Sequence, residues 1–306
     1  MTVECFPLPG EKMKSDYIRF PAHKGHVTNI SFLDSGKKLL SSGMDGLMKL
    51  WSFPSWELIR EFKGHTKSVN SISISHNRDI IATGSSDHTI RLWSYPEALP
   101  LKVLTGHTNT VSSVCISPDG KLLASGSYDG TVRLWGLPEA KELLILEGSP
   151  DNISCVLFTS DDRKLLSGGI GGDIYVWSLP EGKLEQTLLG HDVALLSMIL
   201  TPEGKYLISS GYDRKLRIWS LKDFTEKRSI ELEGTGHFPL AISSNGRTVA
   251  VGMDYDIVLY DFASGKIVSN IPLMVKTVYS MAFTPDGRYL VAATADGRLN
   301  MWDLGK

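Results

Sequence analysis

An aromatic residue recurs at Trp51, Trp93, Trp135, Trp177, Trp219, Tyr260 and Trp302. Every interval is 42 residues, except the 41 between Trp219 and Tyr260. A period of this length, kept along nearly the whole chain, restricts the fold to an array of one supersecondary unit. Each copy must bury its apolar face on the next. Other positions keep the same phase. An Asp stands six residues before the aromatic in six copies, at Asp45, Asp87, Asp129, Asp213, Asp254 and Asp296. A His stands 28 before it in four, at His23, His65, His107 and His191. Gly25-His26 and Gly236-His237 are out of phase, and Glu233 takes the leading position of the sixth copy.

The copy from Gly106 to Trp135 shows the unit. Val111, Val114 and Ile116, then Leu122 to Ala124, then Val132 and Leu134 alternate with polar residues at the period of two expected of strands. The first turn is Ser117-Pro118-Asp119-Gly120, matched by Thr201-Pro202-Glu203-Gly204 and Thr284-Pro285-Asp286-Gly287. Proline presets φ in such a turn and glycine accepts the left-handed conformation. A fourth strand runs up to each leading position through Phe20, Phe62, Leu104, Leu146, Leu188, Ile230 or Ile271. The first of these precedes the first unit, and only Asp303 to Lys306 follow Trp302. Pairing the first strand with the last unit would close a ring and remove two exposed edges. The expected fold is all-β: a seven-bladed propeller of four-stranded antiparallel blades, with no helix.

The propeller should occupy residues 15–306 as a single domain, behind a mobile tail over 1–14 that could alternatively serve as a partner-binding peptide. A formal charge of -2 gives no generic pull toward nucleic acid or an anionic membrane. No apolar run approaches the ~18 residues of a membrane helix, and no signal-peptide core is visible. Three cysteines cannot all pair, and Cys115 and Cys155 fall inside strand runs. That usage suits a reduced intracellular protein, cytoplasmic or, in a eukaryote, nuclear.

These repeats resemble the WD40 family over about residues 16 to 306, although the Trp-Asp pair survives only as Trp302-Asp303. The resemblance implies buried hydrogen-bonded chains of His, Ser or Thr, Asp and Trp. Complete sets are His23-Ser41-Asp45-Trp51, His65-Thr83-Asp87-Trp93, His107-Ser125-Asp129-Trp135 and His191-Ser209-Asp213-Trp219. Trp donates only, Asp accepts only, and His and Ser do both, so four such groups can satisfy one another in a dry interior. A hydrolytic triad would appear once, in a cleft. The fourth, sixth and seventh copies break the pattern, with Ser149 and Gly171, with Glu233, Ala250 and Tyr260, and with Met274 and Ala292. Those blades are expected to lack the polar chain and to open first.

His23 and His26 have a possible ligand spacing, but no Cys or carboxylate cluster joins them, so neither metal nor cofactor is expected. The resemblance implies partner binding on the narrow face around the central channel, with the protein monomeric alone and part of a larger complex. Contacting positions lie three and five residues after the leading His and one before the turn Asp. The residues singled out there are His26, Met44, Tyr128, Ile170, Leu196, Tyr212, Phe238, Met253 and Tyr279. They fall mainly in blades one and four to seven, and only His26 among them carries a titratable base. The expected function is a non-catalytic scaffold for a protein or peptide. The alternative, an enzyme on a propeller platform, needs an acid, base or metal constellation that these positions do not supply.

Overall fold

The computed structural model describes residues 17–146, 152–275 and 277–305; Cys5, Ser149 and the 1–14 tail lie outside them. Blade three shows how the sequence becomes a sheet. Strands Val111–Ile116, Leu122–Ser127, Val132–Gly136 and Lys141–Leu146 pair antiparallel in chain order. Its first hairpin is closed by the Gly120 N–H donating to the Ser117 carbonyl at 2.9 Å. Gly120 sits at φ 74°, where a side chain would be strained. Asp119 braces the turn, accepting from the Ser117 hydroxyl at 2.8 Å and the Lys121 N–H at 3.0 Å.

Seven such four-stranded sheets make the molecule. The ring closes as the repeat count requires. Strand Tyr17–Pro21 pairs antiparallel with Arg298–Asp303 and is the outer strand of the last blade. Tyr17 stacks on Trp302 at 5.3 Å, while Phe20 lies against Trp51 and Trp56 of blade one at 5.0 and 5.2 Å. The closing strand therefore seals its own blade and the joint to the next. Asp34–Gly36, one turn of 3-10 helix, departs from the expectation of no helical segment.

The core lies between the sheets. Ala82, Ile90, Leu92 and Leu104 of blade two pack against Val111, Val114, Leu123 and Trp135 of blade three, and all are buried. Each fully buried branched side chain stabilises the array by about 1.5–3 kcal/mol. Neighbouring blades thus share each layer of core, so no blade is apolar on its own account.

Candidate functional site: the channel rim

The four complete polar sets assemble as their spacing requires. In blade three the Trp135 indole donates to the Ser125 oxygen at 2.9 Å, and the Ser125 hydroxyl lies 2.8 Å from His107 Nε2. His107 Nδ1 lies 2.8 Å from Asp129. Burial pushes the His107 imidazole toward its neutral form, only partly opposed by Asp129. Burial also pushes the Asp129 carboxyl up, but the Thr131 hydroxyl, the Thr108 and Thr131 N–H groups and His107 outweigh it and bring it to about 2. With an ionised Asp and a neutral His, only one proton arrangement satisfies every member. Trp donates to Ser, Ser donates to Nε2, and Nδ1–H donates to Asp.

Blades one, two and five repeat this chain through His23, His65 and His191, with all corresponding contacts at 2.8–2.9 Å. Ser41, Thr83, Ser125 and Ser209 are fully buried. Each hydroxyl is already committed to a Trp and a His, which leaves no approach for a substrate. These sets are mortar between strands rather than nucleophiles.

The broken copies differ from expectation. Blade four keeps its lower half, because the Trp177 indole donates to Ser167 at 2.8 Å. Blade seven builds another chain in place of the lost one. The Tyr17 hydroxyl donates to Asn300 Oδ1, the Asn300 amide donates to Thr294, and the Thr294 hydroxyl donates to Asp296, at 2.8, 2.8 and 2.7 Å. The expectation that blade seven relies on apolar packing alone is therefore corrected: the closing strand supplies the missing polar group. Blade six remains without a chain through its closing aromatic, and Asp254 instead accepts from the Thr235 hydroxyl at 2.7 Å.

The inner strands surround a channel of about 610 Å³ to which all seven blades contribute. Its rim is set by a repeated backbone bond. The residue seven before the closing Trp donates its N–H to the residue three past the leading position, as Met44 to His26, Tyr128 to Thr110, Ile170 to Asn152 and Tyr212 to Ala194, at 2.9–3.0 Å. Met44, Tyr128, Ile170 and Tyr212 are 41–51% exposed there, while Leu196, Tyr279 and His26 are half-buried.

The positions five past the leading residue serve two purposes. In blades one to four they bind the next blade. Thr28 donates to the Val69 carbonyl, Asn70 to Val111 at 3.0 Å, Ser112 to Ile153 at 2.5 Å and Ser154 to Leu195 at 2.7 Å. Small polar residues on that half of the channel are therefore inter-blade staples. Leu196 and Tyr279 carry no such short donor, and there the wall turns apolar and aromatic.

Blade six departs from the expected rim. Phe238 and Met253 are buried with Leu232, Leu240, Val251 and Tyr260, so neither is presented to a partner. Two local changes explain this. The other six blades carry a bulge early in the inner strand, between Val111 and Ser113 in blade three, whereas Leu240–Ile242 pairs with no register shift. Without the bulge the alternation falls in the other phase, and Phe238 turns inward. The following turn is one residue tighter, with the Met253 N–H donating to Asp256 where Gly43 donates to Leu47. This tightening accounts for the 41-residue step.

The rim in blade six is taken instead by two residues outside the expected set. The Asp254 N–H donates to the Thr235 carbonyl at 2.8 Å, one residue out of step on each strand with the rim bond of the other blades. His237 is exposed and lies between Tyr212 and Tyr279, with ring centroids 6.2 and 5.3 Å away. Tyr279 in turn stacks on His26 at 5.0 Å. Burial disfavours the charged form of His237, opposed by Asp254 and reinforced by His26. Tyr212, His237, Tyr279 and His26 thus form one aromatic arc across blades five, six, seven and one. The only sequence signal for it was the short sixth repeat.

The family model for WD40 (WD domain, G-beta repeat) matches residues 15–52, 56–94, 98–136, 140–178, 182–220 and 274–303. The unmatched interval contains the sixth blade, whose inner strand pairs without a bulge. Jouberin of Rattus norvegicus and Jouberin of Mus musculus are each 32% identical over 71 residues, which cover 22% of this chain. The chain spans only 7% of the length of those relatives. WD40 propellers generally act as non-enzymatic scaffolds that bind protein partners. Matched over more than half its length and folded as seven four-stranded blades, the chain belongs to the WD40 repeat family.

Proposed function

We propose that this chain is a non-catalytic scaffold that docks a protein or peptide partner on the rim of its central channel. The aromatic arc from Tyr212 to His26 carries the reading, together with the exposed Met44, Tyr128 and Ile170 around the same mouth. Exposed aromatic and apolar side chains grouped at a concave mouth are what hot-spot anchors need. Residues 15–306 act as one unit in this reading, monomeric by itself and working inside a larger intracellular, cytoplasmic assembly.

The test is affinity capture with Tyr212→Ala/Tyr279→Ala beside the parent protein. Capture should be lost while the melting temperature stays nearly unchanged. Equal capture by both proteins would count against the rim.

A further inference from the structure

We infer that the partner engages the channel with an uncharged aromatic or aliphatic side chain, held between the aromatic arc and the apolar wall of blade five. This rests on the docking reading above and specifies its chemistry. Three observations support it. Among the described residues lining the channel none is Asp, Glu, Lys or Arg. A charged side chain entering there would lose hydration and meet no counter-charge, which costs far more than burying an apolar group gains.

Several hydroxyls of the wall are also committed. Thr28, Ser112 and Ser154 donate to the carbonyls of the next blade, and Ser71 and Ser113 accept from the Val114 and Val156 N–H groups at 3.1 Å. A polar ligand group would have to compete with bonds that hold the ring together. Finally, the one carboxylate at a rim position, Asp254, is held by Thr235 and faces His237. Leu196, Tyr279 and His237 then offer a contiguous surface that is apolar or aromatic. A volume of about 610 Å³ is in the range of cavities that accept a bulky side chain.

The experiment pans a displayed library of random linear peptides against the full chain, with Tyr212→Ala and Leu196→Lys in parallel. Enriched peptides should share one Trp, Tyr, Phe, Leu or Met, and replacing that residue by Lys or Glu should weaken binding about 30-fold or more. Raising salt to about 0.5 M should leave the Kd within about twofold, because no exposed ion pair is involved. Both protein variants should lose the enriched peptides. Rim-dependent peptides whose shared residue is charged would overturn this inference and leave the docking rim standing. Peptides indifferent to both variants, or no enrichment at all, would overturn both.

Discussion

Blade three and blade six share a four-stranded plan and are held together differently. Blade three has six-residue inner strands, a bulge that aims Ser112 into the channel, and a closed polar chain from Trp135 to Asp129. Blade six has a three-residue inner strand that pairs without a bulge, and a core of Phe238, Leu240, Met253 and Tyr260 where the polar chain would be. Polar chains fix strand register and need every member present. Apolar filling tolerates substitution and frees the loops above it. The sector that lost the repeat pattern is accordingly where the rim departs from it and gains His237 and Asp254.

The sharpest way to break this comparison is to delete the equivalent acid in each blade. Asp129→Ala leaves His107 and the Thr108 and Thr131 N–H groups without their acceptor in a buried site. It should cost about 3 kcal/mol in urea unfolding, at the upper end of the about 1.5–3 kcal/mol expected for hydrogen bonds to a charged acceptor. Asp254→Ala removes a side-chain bond only to an exposed Thr235 and should cost about 0.5 kcal/mol. Similar losses would show that blade three does not depend on its chain. The substitute chain in blade seven gives the next effect. Tyr17→Phe leaves the buried Asn300 carbonyl oxygen without its donor and should cost about 1–3 kcal/mol.

Amide exchange ranks the blades directly. Leu240–Ile242 should exchange at least about tenfold faster than Val111–Ile116, the equivalent of one buried hydrogen bond. The first opening is thereby confined to blade six, since blades four and seven retain bonds to their closing Trp or closing strand. Blades four and seven exchanging together with blade six would return the weak sector to the wider extent that missing His residues suggest.

Phase explains what was legible beforehand. His107, Ser125, Asp129 and Trp135 could be grouped because each recurs at a fixed offset, and offset determines place when every blade has the same bulge and turn. Counting strands gave the closure at Tyr17–Pro21 for the same reason. The Tyr17–Asn300 bond joins residues 283 apart that belong to no recurring column, so no offset could reveal it. Phe238 went astray because bulges are invisible in a residue pattern. A bulge reverses which of two neighbours faces the channel, and one missing bulge exchanged Phe238 for His237 on the rim.

Acid should separate the two kinds of blade most gently. Burial holds His65, His107 and His191 below the ordinary value of 6.5, against the opposing pull of their Asp partners. The unfolded chain then binds more protons than the folded one as pH falls past 6.5, so their contribution is complete above that pH and declines below it. Below 3.8 the Asp partners act in the same direction: Asp45 and Asp213 are lowered, and Asp87 and Asp129 are brought to about 2. Blade seven's chain runs through Tyr17, Asn300 and Thr294, which do not titrate in the upper window. In a His237→Gln background, which removes the lowered imidazole of blade six, moving from about pH 7.5 to about pH 5.5, across the ordinary histidine range, should therefore narrow the exchange gap between blade three and blade six. After correction for intrinsic exchange, blade seven should keep its protection relative to blade six. A gap between blades three and six that is constant with pH would mean that the neutral imidazole is not what closes the polar chain.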